Sequence, residues 1–179
     1  TSLQGVDREL IRKKLSQLSS DSLEELHRLL LLKHWAEHPN NFIFSGFVKT
    51  KDEHDSDSPV KPFPDKPYLR EVINVVHEAD RLFIPKSRRI RMSWVMVLYA
   101  LWVALFFPHQ SIFIQSKKEE DAAALVFDKK IENSRMSFVY FHLPDWLKAM
   151  VPIDTSYAKI RFANGSIVWG IPEGGHIIR

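Results

Sequence analysis

The most restrictive feature of this chain is a basic, acid-free stretch that leads into a long apolar run. Residues 81–118 carry seven lysine or arginine side chains and no acidic one. Every residue from 94 to 107 is apolar, and Pro108 follows. Because a membrane-spanning helix needs about 20 such residues, this shorter run predicts a buried core helix. A chain of 179 residues is long enough to build a core around such a helix as one domain.

The positive charge of the chain is concentrated where this core helix is predicted to begin. The whole chain has a net charge of only +3, so the segments on either side are close to neutral or slightly acidic. A cation cluster of this kind favours an anionic partner, either phosphate or nucleic acid. The absence of cysteine excludes a disulfide framework, a thiolate zinc site and a thiol nucleophile.

Hydrophobic spacing divides the chain into a helical lead-in over residues 1–48, a loop over residues 49–67 and an α/β domain over residues 68–179. Leucines at a spacing of about 3.6 residues predict helix from residue 7 to residue 38, with a break at residues 19–21. Residues 39–41 are predicted to end it.

The α/β assignment depends on the order of the elements after residue 67. Two strands are predicted at residues 81–85 and 111–115, each followed by a helix, and this alternation is typical of a parallel sheet with crossover helices. Another helix precedes them at residues 68–78, and the last one is predicted at residues 119–133. Asn164 and Gly165 predict a tight hairpin between strands 159–163 and 166–171.

The basic turn before the core helix is the candidate binding site. Backbone N–H groups and the helix dipole favour an anion where a strand meets a helix N-terminus. The ordinary phosphate loop reads G-x-x-x-x-G-K-[ST], but this turn lacks both glycines and has Met92 in place of the lysine. Ser93 alone matches, at the hydroxyl position that ligates Mg²⁺. A solvated basic turn ahead of a core helix is the alternative interpretation.

The turn resembles the deviant phosphate loop of the large terminase subunits of tailed bacteriophages. That loop often reads K-S-R-Q-x-G-x-S or K-S-A-R-x-G-x-S, with the lysine displaced to its start. The matching residues are Lys86, Ser87, Arg88, Arg89 and Ser93, while Arg91 replaces the usual glycine. The resemblance extends in order over roughly residues 42–179, through residues 48–53, 62–64, 68–69, 112–117, 143–147 and 165–179.

The resemblance implies the first half of a P-loop NTPase-like ATPase domain that binds ATP and Mg²⁺. Lys86 is then expected to hold the β- and γ-phosphates, Ser93 the metal, and Arg88 or Arg89 the charge of the transition state. The nucleotide-binding set is Lys86, Ser87, Arg88, Arg89, Ile90, Arg91, Met92 and Ser93. In the family the Walker B strand and the nuclease domain come later, so the chain is expected to be partial and its own ATPase activity is left open.

The same resemblance implies the biological setting. Terminases use ATP hydrolysis to drive double-stranded DNA into procapsids, as homo-oligomeric rings that engage a portal protein and a small terminase subunit. The expected location is the cytoplasm of a bacterial host, with no membrane partner. Many terminases read adenine with an upstream glutamine, but none lies between Gln17 and Gln110. Phe63 or Tyr68 could stack on the base instead, although a core role is the alternative for both.

Two other functions remain open at this stage. His34, Glu37 and His38 fit the H-x-x-E-H pattern of a zinc metallopeptidase, with Glu119 or Glu120 as the only suggestive third ligands. The alternative for these histidines is a helix C-terminus whose dipole they complement. The third hypothesis is a non-catalytic assembly module in which the arginines of the turn contact phosphates of DNA.

Overall fold

The computed structural model describes residues 19–51, 55, 57–85 and 90–174. Its helices are α1 (Ser20–Glu37), α2 (Pro39–Ile43), α3 (Pro67–Glu78), α4 (Met92–Phe106), α5 (Glu119–Ala123), α6 (Arg135–Phe141) and α7 (Asp145–Met150). A 3₁₀ turn spans Ile131–Asn133. The strands are β1 (Lys49–Lys51), β2 (Val60–Pro62), β3 (Ser111–Ser116), β4 (Ile153–Ser156), β5 (Lys159–Phe162) and β6 (Ile167–Pro172).

Helix α4 is the predicted core helix, and the structure confirms it. Nine of its fifteen residues are buried, on several sides of the helix, as its apolar composition requires. Trp102 of α4 donates its indole N–H to the main-chain carbonyl of Trp35 at 2.7 Å, which ties α4 to the last turns of α1. No helix in the described ranges combines the length and apolarity needed to cross a bilayer.

A mixed four-stranded sheet packs beside α4, in the order β3-β6-β5-β4. Strand β3 runs parallel to β6, whereas β5 is antiparallel to both of its neighbours, β6 and β4. The Asn-Gly hairpin is confirmed: Gly165 adopts a positive φ of 86°, and Asn164 donates to the carbonyls of Ala104 and Leu105. The turn therefore fixes the sheet to the C-terminal end of α4, and the α/β class holds with a mixed sheet.

The predicted strand at residues 81–85 is wrong. These residues form no strand in the structure, and the side chain of Phe83 is 88% exposed. Their composition suits a strand, but a strand needs a hydrogen-bonded neighbour, and none is paired with them among the described residues. The expected crossover from this segment through α4 to β3 is therefore absent from the described part of the chain.

The predicted helix at residues 119–133 is also corrected, because α5 ends at Ala123. The main-chain carbonyls of Ala124 and Leu125 accept hydrogen bonds from the N–H groups of Arg135 and Met136. A continuous helix would direct those carbonyls to its own next turn. The segment instead folds back, and α6 begins against it.

The structure describes the second part of the lead-in and most of the loop. Helix α1 begins within the predicted break at residues 19–21, with Ser19 as its N-cap, and the helix predicted before it lies outside the described residues. Pro39 ends α1, but it also begins the short helix α2, since proline is well suited to the first helical position. The predicted loop at residues 49–67 contains the antiparallel pair of β1 and β2.

Candidate functional site: the start of helix α4

The start of α4 has the backbone geometry of an anion site. Arg91 is its N-cap and adopts the left-handed conformation, with φ 58° and ψ 18°, and its own side chain does not cap the helix. The first helical N–H groups, those of Met92 and Ser93, have no hydrogen-bond acceptor among the described residues. A left-handed residue followed by helical residues directs successive N–H groups into one concavity, where they can bind an anion.

The structure separates the predicted binding residues into three groups. Lys86, Ser87, Arg88 and Arg89 lie outside the described residues. Met92 is buried and Ile90 packs against the core, and neither side chain carries a group that can donate a hydrogen bond to phosphate. Arg91 and Ser93 are the two predicted positions that place a polar side chain at the start of α4 in the described part, and Ser93 is exposed.

A small cavity that the sequence did not predict lies beside the first turn of α4. Its volume is about 170 Å³, and we refer to it as the Trp94 pocket. The guanidinium of Arg135 lies over the indole of Trp94, with its central carbon 5.6 Å from the ring centroid. The lining residues are Lys51, Trp94, Ala124, Asn133, Ser134, Arg135 and Phe138.

A larger cavity of about 530 Å³ separates the other face of α4 from β3. Met96, Val103 and Ile112 are among its apolar lining residues, and Ser93 also lines it. Strand β3 is the edge of the sheet, and its Phe113 is 48% exposed beside this cavity. The face of α4 below Ser93 is therefore apolar, and the polar groups lie on the side of the Trp94 pocket.

The two aromatic candidates for base stacking have different environments. Phe63 is buried and packs against Phe44, with ring centroids 5.9 Å apart, so it belongs to the core. Tyr68 lies in the first turn of α3 and is 44% exposed. The core alternative therefore holds for Phe63 and not for Tyr68.

The histidines of the zinc hypothesis are engaged separately. His34 lies on the exposed face of α1, with its Nδ1 3.9 Å from a carboxylate oxygen of Glu37. His38 has other partners: its Nδ1 accepts from the N–H of Asn40, and its ring contacts that of His77 at 5.0 Å between centroids. Within the described ranges, no cluster of three or more metal-ligating side chains occurs.

The environment of His38 disfavours its protonated form. Burial is the main cause of its lowered pKa, the nearby imidazole of His77 adds to it, and the carboxylate of Glu78 opposes both. Protonation would also place a hydrogen on Nδ1, which now accepts the hydrogen bond that caps α2. The neutral imidazole is therefore the form that stabilises the junction of α1 and α2.

We expect the free energy of unfolding to fall as the pH drops below about 6.5, the pKa of an unperturbed histidine. Below that pH the unfolded chain binds a proton at His38 more readily than the folded chain. The stability that His38 contributes is therefore lost gradually, and it is fully lost below the pKa of His38 in the folded chain. Urea unfolding between pH 5 and 8 measures this. His38→Asn keeps a capping side chain without titration and should flatten the profile, whereas the exposed-helix control His27→Asn should not. An unchanged profile in His38→Asn would assign the pH dependence to other groups.

Comparison with known proteins identifies no family for this chain. No protein-family model matches the chain, and no curated protein matches it at a significant level.

Proposed function

We propose that the chain is the ATP-binding part of a DNA-packaging motor of the large terminase type, with a P-loop NTPase-like ATPase domain. The observation that carries the proposal is the start of α4, where an uncapped helix N-terminus follows a left-handed residue. The sequence surrounds that turn with cations, as an ATP phosphate site requires. The sheet beside α4 is mixed and no strand leads into the turn among the described residues, so the P-loop NTPase-like fold depends on the resemblance.

The left-handed conformation of Arg91 supports the resemblance in physical terms. Terminase loops usually have glycine at this position, and glycine adopts a positive φ without steric cost. Arg91 therefore has a conformation that favours glycine, at the position where terminase loops usually have one. In this proposal the free N–H groups of Met92 and Ser93 contact the phosphates.

The proposed chemistry is phosphoryl transfer to water, in which catalysis consists of positioning and charge stabilisation. The exposed hydroxyl of Ser93 is suited to Mg²⁺, which takes few protein ligands and keeps several waters and phosphate oxygens. The bound metal would neutralise charge on the phosphate oxygens. By resemblance, Lys86 binds the β- and γ-phosphates, and Arg88 or Arg89 stabilises the transition state.

The DNA, portal and small-subunit contacts of the proposed motor, its ring assembly and its bacterial cytoplasmic location depend on the resemblance alone. The second candidate function is a phosphate- or DNA-binding module that does not use ATP. Its support is the same basic turn, since arginines commonly contact DNA phosphates. Such a module should not bind ATP specifically, and its DNA affinity should fall steeply with salt.

The proposal is tested by titrating the chain with ATP and Mg²⁺. Lys86→Ala should weaken binding strongly, because the lysine supplies a point charge to the phosphates. Arg91→Gly should leave affinity nearly intact and raise the free energy of unfolding by about 1 kcal/mol, since it relieves a left-handed residue with a side chain. If instead Arg91→Gly eliminates ATP binding and Lys86→Ala does not, the phosphate site is built around Arg91. Absence of ATP binding by the unmodified chain would favour the binding module.

A further inference from the structure

The Trp94 pocket brings together recognition groups that are not engaged elsewhere. Among the described residues, Lys51 and Arg135 form no ion pair, and their positive charges are not neutralised. Asn133 also lines the pocket, where its side chain is exposed and makes no hydrogen bond to another side chain or carbonyl of the described residues. Two cations and one amide that have no side-chain partner among the described residues are suited to a polar ligand that carries several acceptors.

The size of the pocket limits what can enter it. An engineered cavity of about 150 Å³ in another protein binds benzene, whereas pockets for whole drug-sized ligands measure about 300–1,000 Å³. At about 170 Å³ the Trp94 pocket admits one ring system and not an entire nucleotide. Its walls include the planar groups of Trp94 and Arg135 and the apolar side chains of Ala124 and Phe138. Flat heteroaromatic bases stack on indole rings and on arginine planes.

A phosphate group fits this pocket less well than a base. Phosphate sites commonly use backbone N–H groups, but the N–H groups of Arg135 and Met136 already donate to the carbonyls of Ala124 and Leu125. A phosphate would also gain no favourable contact with the apolar side chains of Ala124 and Phe138, which form part of the wall. The lining therefore favours a polar ring with hydrogen-bonding edges.

The position of the pocket connects it with the proposed phosphate site. Ser93 and Trp94 are consecutive residues of α4 and lie about 100° apart around the helix axis, with a rise of about 1.5 Å. A nucleotide whose phosphates contact the N–H groups of Met92 and Ser93 can therefore direct its base around the first turn of the helix towards Trp94.

We propose that the Trp94 pocket holds the adenine base of the nucleotide and that Asn133 is the residue that reads its edge. This inference rests on the proposed function, because it places the base relative to a phosphate site at α4. An amide offers one donor and one acceptor, which complement the acceptor and donor on an adenine edge. Lys51 donates to a ring nitrogen or to the ribose. Asn133 thus takes the role for which the sequence offered no upstream glutamine.

The test uses two probes that separate the base from the phosphates, adenosine and tripolyphosphate, titrated into the 179-residue chain. Adenosine should bind and should be preferred over guanosine. Trp94→Leu should weaken adenosine binding roughly tenfold through the loss of stacking. Asn133→Asp should reverse the preference to guanosine, because a carboxylate accepts from the two neighbouring donors of guanine and cannot donate to adenine. Asn133→Ala should leave the affinity for tripolyphosphate unchanged.

The control Arg161→Ala removes an exposed cation that pairs with Asp154 on the sheet, and it should change neither affinity. If tripolyphosphate binds but adenosine does not, the Trp94 pocket does not bind the base, although the phosphate site stands. The same conclusion follows if Trp94→Leu and Asn133→Asp both bind adenosine as tightly as the unmodified chain does. If Asn133→Ala weakens tripolyphosphate, the pocket holds phosphate and the inference is overturned. If neither probe binds, the inference and the proposed function fail together.

Discussion

Replacing Ser93 with aspartate should eliminate ATP binding while leaving the chain at least as stable as before. Ser93 lies in the exposed first turn of α4, beside N–H groups that have no acceptor within the described ranges. A carboxylate there interacts favourably with the helix dipole, by about 0.3–1 kcal/mol. The same carboxylate occupies the anion site and repels phosphate. Two unit charges about 4 Å apart near a protein surface interact by about 4 kcal/mol, which corresponds to roughly a thousandfold loss of affinity.

Ser93→Ala is the matched control, because it removes the hydroxyl without adding charge. It should weaken the contribution of Mg²⁺ to binding but preserve the affinity for nucleotide without metal, since the backbone N–H groups remain. Calorimetric titrations of both variants with ATP, in the presence and absence of Mg²⁺, separate the two effects. If Ser93→Asp binds ATP as tightly as the unmodified chain, the phosphates do not lie at the start of α4 and the proposed function loses its main support.

Elements with a strong local signal were predictable from the sequence. The apolar run before Pro108 can be stable only inside a core, and the structure places it there as α4. Asn164 and Gly165 favour a tight turn between any two strands, and the hairpin forms around them. In both cases the residues that determine the structure lie next to one another in the chain.

The predictions that failed depended on partners distant in sequence. Residues 81–85 have the composition of a strand, but strand formation requires a neighbour that composition cannot identify. The helix predicted to continue beyond Ala123 ends because distant N–H groups, such as that of Arg135, take the carbonyls that follow it. Only the three-dimensional structure supplies these partners.

The candidate site divides in the same way. Charge clustering predicted an anion site at the start of α4, and the left-handed Arg91 gives that position the geometry of one. The Trp94 pocket combines residues 51, 94, 133 and 135, which come from three separate segments. In the sequence, Trp94 is indistinguishable from the core residues that follow it, and nothing connects it with Lys51 or Arg135. Such a pocket has no sequence signal and requires the packing of β1, α4 and α6.

The largest loss of stability is expected for Trp102→Ala. Trp102 is 2% exposed and contacts the rings of His77 and Phe107, so its truncation removes a large buried surface and leaves a cavity. Its indole N–H also satisfies the carbonyl of Trp35, one of the last four of α1, which have no partner within their own helix. Truncation of a buried tryptophan costs about 3–5 kcal/mol, a large part of a typical stability of about 5–15 kcal/mol.

Two variants show whether this loss comes from the docking of α1 onto α4. Trp102→Phe keeps a buried ring but removes the donor to Trp35. It should lower the free energy of unfolding less than Trp102→Ala does, while still increasing hydrogen exchange in α1. Trp169→Ala removes a half-buried ring from the sheet, where it contacts Lys159 and Phe113, and should cost the least of the three. Urea unfolding gives the order, and hydrogen exchange of the α1 amides locates the effect. If Trp102→Ala lowers the free energy of unfolding no more than Trp169→Ala does, the docking of α1 onto α4 does not contribute measurably to stability. The buried hydrogen bond between Trp102 and Trp35 would then be of no measurable value.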